Sequence, residues 1–194
     1  ERDMIVPKTK QLLVSPFTSR ERFTSLVEKE IALANAGKKG LIILKMNSLQ
    51  DHGMIKELYK ASNAGVEVRL LIRGMCSLVP GIEGQSENIY ITSIVDRFLE
   101  HGRIYIFGND GDEQIYIGSA DWMTRNLTHR IEVVTPILDE SHKKTVWEII
   151  NIELNDNVKA RIIDAEQKNE YVKNSEKKVQ SQLAIYDYFK SLTE

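Results

Sequence analysis

The strongest constraint on how this chain folds is a strand, a helix and a second strand set close together. Leu41-Ile-Ile-Leu-Lys-Met46 is a continuous apolar run of strand length. Met54, Ile55, Leu58 and Tyr59 then fall at helical spacing, and Gly65 stops that helix. Val66-Glu-Val-Arg-Leu-Leu-Ile72 is the second strand. Strand, helix and strand over about thirty residues read as a right-handed parallel βαβ unit, which commits the chain to an α/β fold.

The flanking sequence extends this unit on both sides. Residues 1–17 form a lead-in segment in which Lys10–Ser15 can make a short strand. Thr18-Ser-Arg-Glu21 has the spacing of a capping box, a hydroxyl followed three residues later by a carboxylate. Phe23, Leu26, Val27, Ile31 and Ala34 continue as a helix that Gly37 can end in a left-handed turn. Downstream, Gly74, Pro80, Gly81 and Gly84 mark residues 73–88 as a long loop. Ile89–Ser93 reads as a strand and Ile94–Leu99 as a short helix. Arg103–Phe107 and Gln114–Gly118 are strands joined as a hairpin through Asn109-Asp-Gly-Asp112. Glu132–Ile137 is a further strand, and Glu140–Leu154 a long helix that Asn155-Asp-Asn157 breaks. Residues 165–194 hold a charged excursion and then a terminal helix. The expected whole is one α/β domain over 1–194, a mixed β-sheet with helices on both faces.

Composition excludes several classes. The 194 residues are 42% hydrophobic and 28% charged, as in ordinary soluble globular proteins. A chain of this length buries roughly 70% of its unfolded surface and needs no disulfide or metal to fold. Lys and Arg number 26 against 28 Asp and Glu, a net charge of -2 that excludes a histone-like binder. A local basic site stays open, because net charge does not say where the arginines sit. The single cysteine, Cys76, excludes a disulfide framework and a Cys-based zinc site and fits a reducing compartment. No apolar run approaches the roughly 20 residues of a membrane span. No signal peptide opens the chain, and its start at Glu1 without an initiator Met points to a processed chain or a piece of something larger.

Strand ends in an α/β sheet are where side chains can meet a ligand, and three polar residues fall there. Arg73 ends the second strand of the βαβ unit, His101 precedes the hairpin, and Arg130 opens a later strand. The ordinary role of such an arginine is a solvated charge or an ion-pair partner, and of such a histidine a hydrogen-bonded structural group. His52, His129 and His142 take that ordinary role. Asp110 and Asp112 read as turn carboxylates, and Tyr186, Tyr188 and Phe189 as helix packing. The Gly81-Ile-Glu-Gly84 loop is not a phosphate-cradling Walker sequence, since no Gly-Lys-(Ser/Thr) follows.

For His101, Ile115-Tyr-Ile-Gly-Ser-Ala-Asp-Trp122 alters the balance. A strand ending in Gly-Ser-x-(Asp/Asn) after an upstream His-x-(Lys/Arg) resembles the phospholipase D superfamily signature. This chain carries His101-Gly-Arg103, with arginine in the lysine position, and Asp121 in the asparagine position. Five longer segments are more specific: Lys45–Leu49, Leu71–Pro80, Ser93–His101, Gly118–Asn126 and Arg130–Val133. In this order they resemble the bacterial polyphosphate kinase family, specifically its C-terminal phospholipase D-like domain, over almost the whole chain.

The resemblance implies a phospholipase D-like fold and reversible transfer of the terminal phosphate of ATP to inorganic polyphosphate through a phosphohistidine. By the family pattern that nucleophile lies in the preceding domain, so the isolated chain is expected to be inactive. His101 is implied as the second active-site histidine, and Arg73 and Arg130 as ligands of ATP or polyphosphate phosphates. Ser119 and Arg103 are supporting candidates. Such roles suit phosphoryl transfer, in which positioning and charge stabilisation dominate. An arginine presents a permanent forked donor to phosphate oxygens, and a histidine can pass a proton to and from the leaving phosphate. Gly74 would let the chain turn out of its strand beside Arg73. The resemblance also implies ATP as substrate, Mg2+ with ligands outside this chain, and ATP/ADP, polyphosphate and the preceding domains as partners. It implies a homo-oligomeric full-length enzyme, no nucleic-acid partner, and a cytoplasmic location, with a peripheral place at the inner membrane as the alternative. Two other readings use the same residues: a phosphodiesterase or nuclease half-domain, which the departure from His-x-Lys disfavours, and a non-catalytic polyanion-binding module.

Overall fold

A computed structural model describes residues 9–174 and 177–193. The first eight residues of the lead-in segment, residues 175–176 of the charged excursion and residue 194 lie outside the described residues. The elements in chain order are β1 (Leu13–Ser15), α1 (Ser19–Asn35), β2 (Leu41–Met46), α2 (His52–Asn63), β3 (Glu67–Ile72), β4 (Ile89–Ile94), β5 (Arg103–Phe107), β6 (Gln114–Gly118), α3 (Thr124–Thr128), β7 (Glu132–Pro136), α4 (Glu140–Leu154), β8 (Ala160–Ile163) and α5 (Ser181–Ser191).

The strands form one mixed sheet in the order β1-β7-β6-β5-β2-β3-β4-β8. β2, β3 and β4 are parallel neighbours, and the remaining pairs are antiparallel. The unbroken apolar run of β2 follows from its central place, since a strand covered on both faces has no solvent side. Ile42, Leu44 and Met46 join Phe23, Leu26 and Val27 of α1 and Met54 and Leu58 of α2 in one core. Ile43 points the other way, into a second core with Leu71, Ile104, Ile106 and Ile115 under Ile150, Val146 and Trp147 of α4. Helices therefore cover both faces of the sheet, as the sequence leads one to expect. Each large apolar side chain fully buried in these layers contributes about 1.5–3 kcal/mol.

Helix ends follow local chemistry. Asp51 caps α2 by accepting from the Met54 amide at 3.0 Å, and Asp139 caps α4 by accepting from Ser141 and His142. Gly37 and Gly65 both have the positive φ that stops α1 and α2. The hairpin turn holds Asn109 and Asp110 at positive φ, with the Asn109 side-chain amide donating to the Asp112 carbonyl, so Asp110 and Asp112 belong to the turn.

Four expectations need correction. Thr18 sits at the N-cap of α1 without capping it; its hydroxyl instead accepts from the Val14 amide at 2.9 Å and closes the turn after β1. Ile94–Leu99 is not helical. Val95, Phe98 and Leu99 are exposed, so a helix there would have no apolar face to bury. β8 and α3 are additional elements, β8 pairing antiparallel with the edge of β4. Finally, α5 lies against α4 but leaves Tyr186 and Phe189 exposed, because nothing covers its other side among the described residues. No helix among the described residues is long and apolar enough to cross a membrane.

Candidate anion-binding cleft

One end of the sheet collects every sequence-predicted site residue. β2 and β3 end there side by side, Met46 opposite Ile72. β5 runs antiparallel to β2, so it begins at that end. β6 returns to it, Arg103 opposite Gly118, and β7 starts from it again. The residues just beyond these ends line an open cleft of about 670 Å³: Asn47, Ser48, Arg73, Gly74, His101, Arg103, Gly118, Ser119, Asp121, Arg125, Asn126, Arg130 and Glu132.

The charges in the cleft are of two kinds. Both carboxylates are held by the protein. Asp121 is buried and takes a forked pair from Arg103, Nε at 3.1 Å and Nη2 at 3.2 Å, together with the Asn47 amide at 2.8 Å. Glu132 accepts from the Ser119 hydroxyl and, at 2.7 Å, from the Asn126 side-chain amide. The arginines divide differently. Arg103 is 8% exposed and committed to Asp121. Arg73, Arg125 and Arg130 have no ion-pair or side-chain hydrogen-bond partner among the described residues, and Arg73 Nε is buried without one. With its carboxylates occupied and three arginines open, the cleft presents positive charge that the described residues leave unneutralised.

His101 stands at the rim. Arg103 Nη1 lies 2.9 Å from His101 Nδ1 and donates to the His101 carbonyl at 2.8 Å. The same Nη1 lies 3.4 Å from Nε2, and a guanidinium offers only donors, so Arg103 sets the place of the ring through acceptor contacts. Arg103 therefore orients His101 while its own fork is spent on Asp121. Ser119 likewise lines the cleft with its hydroxyl given to Glu132.

Behind the cleft Lys45 bridges Glu100 and Glu153. Burial pushes Glu153 up to about 8, Lys45 opposing and Glu100 adding to the shift. Burial works against the charge on Lys45, but Glu153 and Glu100 outweigh it and hold Lys45 above its ordinary range. Glu100 stays below its ordinary range, hydrogen bonds from Glu153 and Lys45 overcoming its burial. The three behave as one group in which Glu153 keeps its proton and Glu100 does not.

Sequence reasoning singled out Arg73, His101, Arg103, Ser119 and Arg130, and the fold brings all five to this cleft. It missed Arg125, Asn126 and Glu132. Arg125 lies on α3, whose tight turn returns the His129 and Arg130 amides to the Arg125 carbonyl and so sets Arg125 and Arg130 together. A search limited to strand ends passes over it; the spacing of two arginines about a five-residue helix was the available signal. Gly74 is needed for a reason other than turning out of its strand. A side chain there would meet the Asn47 carbonyl at 2.8 Å, where the Gly74 amide donates to the same oxygen.

The model of a family described as polyphosphate kinase C-terminal domain 2 matches residues 12–182. A polyphosphate kinase of Vibrio parahaemolyticus is 56% identical over 186 residues, 95% of this chain and 27% of that protein. The chain thus spans about a quarter of the length of such relatives. The crystal structure of polyphosphate kinase from Porphyromonas gingivalis superposes with a TM-score of 0.94 at 47% identity, covering 97% of this chain and 29% of that one. Nuc from Salmonella typhimurium, a phospholipase D family member, superposes with a TM-score of 0.55 at 16% identity, covering 79% of this chain and 97% of that one; that likeness is one of fold.

Proposed function

Since the chain belongs to the polyphosphate kinase C-terminal domain 2 family, we propose that its cleft grips the phosphates of ATP and polyphosphate during reversible phosphoryl transfer. The observation that carries this reading is the set of three unpartnered arginines, Arg73, Arg125 and Arg130, facing one opening with His101. In the forward direction the bond between the γ-phosphorus of ATP and its bridging oxygen breaks, and a histidine of a preceding domain receives the phosphoryl group. A terminal oxygen of polyphosphate then attacks that phosphorus and releases the histidine. Arg73, Arg125 and Arg130 neutralise the oxygens of the group in flight. His101 donates a proton to the leaving phosphate oxygen and takes it back in the reverse direction.

Magnesium accompanies ATP in such reactions, but the described residues of the cleft do not fit a resident ion. Among the described residues no three His, Cys, Asp or Glu side chains converge, and Asp121 and Glu132 are occupied by Arg103 and Asn126. No step is therefore assigned to a metal held here. The reading places the preceding domains of the same polypeptide across the cleft as partner, in a homo-oligomeric enzyme of the cytoplasm, the compartment that ATP and the single free Cys76 fit.

The test is His101→Ala in the full-length enzyme. Loss of an acid/base group costs about 100- to 10,000-fold. Transfer of labelled phosphate from ATP into polyphosphate should fall by that order while the melting temperature holds. A wild-type rate would return His101 to a structural role.

A further inference from the structure

His101 is carried by a segment that does not hold itself in place. Residues 95–102 form no helix or strand, and Val95, Phe98 and Leu99 are 70%, 62% and 78% exposed. An acid/base group must nevertheless sit within a fraction of an ångström of its partner. Arg103 fixes the ring, but the path of the backbone into His101 has another support. Gln182, in the first turn of α5, accepts from the Phe98 amide at 2.9 Å and donates to the Phe98 carbonyl at 2.8 Å. Its side-chain amide also donates to Glu100 at 2.9 Å. Two residues earlier, Gln180 donates to Asp96 at 2.6 Å.

The start of α5 is itself anchored. Asp156 accepts from the Ser181 amide at 2.7 Å with one oxygen, and from Val158, Lys159 and Ala160 with the other. A continuous set of hydrogen bonds thus runs from the root of β8 through Asp156 and α5 to the residues just before His101. None of the residues of α5 belongs to either hydrophobic core. The helix is therefore placed to hold the His101 segment without holding the sheet together.

We propose that Gln182 is a positioning residue for the transfer reaction: α5 straps the 95–102 segment, and Gln182 sets where His101 meets the phosphate. The proposal rests on the acid/base reading of His101. It predicts an effect on turnover that passes through His101.

The experiment is a double-mutant cycle in the full-length enzyme, with Gln182→Met, His101→Ala and the pair. Methionine keeps the length of the side chain and removes all three hydrogen bonds. Gln182→Met should lower kcat about 10- to 100-fold, as expected of a small misplacement, with KM for ATP within about two-fold. Hydrogen exchange at the Phe98 amide should accelerate, with the melting temperature unchanged. In the His101→Ala background Gln182→Met should cost nothing further, because its effect is already lost. Unchanged kcat in Gln182→Met beside an inactive His101→Ala overturns the strap and leaves the role of His101 intact. An undiminished effect of Gln182→Met in the His101→Ala background also overturns it, as does a fall in kcat matched by a fall in melting temperature. A fully active His101→Ala instead overturns the acid/base reading itself.

Discussion

Whether an arginine at a strand end grips a ligand or only carries charge depends on what its fork faces. At Arg73 the Nε is buried and unpartnered, which is costly to leave so unless a ligand completes it. Arg73→Lys keeps the charge and loses the fork. Loss of a charge-assisted contact in such a site costs roughly 1.5–3 kcal/mol, or about 10- to 150-fold in kcat/KM for ATP. The melting temperature should stay near wild type, and kinetics of the full-length variant are the check; unchanged kinetics would remove Arg73 from the site. Arg73 and His101 were legible because each lies at the end of a recognisable strand or inside a distinctive segment. The fork of Arg103 was not. Its partner Asp121 lies 18 residues on, and only the pairing of β5 with β6 brings the two together. A sequence names the arginine but not the direction of its guanidinium.

At the scale of elements, legibility followed burial. β2, α2, β3 and the β5–β6 hairpin carry apolar patterns that the two cores impose, and α4 matches its expected bounds at both ends. The failures are elements with weak apolar faces. The residues of Ile94–Leu99 have helical spacing but no surface to cover them, and β8 is a four-residue edge strand recognised only through its pairing with β4. Thr18 has a capping spacing, but the Val14 amide claims its hydroxyl. The β6–β7 contact shows how an element sets the site. A Cβ on Gly118 would lie 2.6 Å from the Val133 carbonyl and 2.6 Å from a Val134 methyl, so the strands touch where Ser119 leaves the sheet. Gly118→Ala should force the pair apart and cost about 1–3 kcal/mol. Ser119 and Glu132 would be displaced with it. A lower melting temperature together with reduced polyphosphate synthesis is the expected result, whereas wild-type values for both would mean the strands absorb the methyl.

For the molecule as a whole, a net charge of -2 conceals a cleft whose open charges are all arginine, and the compensating carboxylates lie elsewhere, some of them buried. Glu153 is one of the buried ones, beside Lys45 of β2 behind the cleft, and it couples the fold to pH. Its folded value of about 8 is above the ordinary 4.5. Between those values the native state holds a proton that the unfolded chain has released. Stability must then be highest near the lower value and decline as pH rises toward about 8, by at most about 1.4 kcal/mol per pH unit. Glu100 shifts the opposite way, so its contribution is lost only as pH falls below the ordinary carboxylate range, outside this window. Glu153→Gln separates the two. Glutamine can accept from Lys45 and donate to Glu100, as the protonated acid does, but cannot ionise. The variant should match wild type at about pH 5 and melt higher at about pH 8. Glu100 is held below its ordinary range and Lys45 above its own, so neither changes charge across that range and the change in the melting-temperature difference reports Glu153. A difference that does not change with pH would place Glu153 as a permanent carboxylate paired with Lys45. The cleft would then have a buried anion beneath its arginines, opposing the phosphate they are proposed to grip.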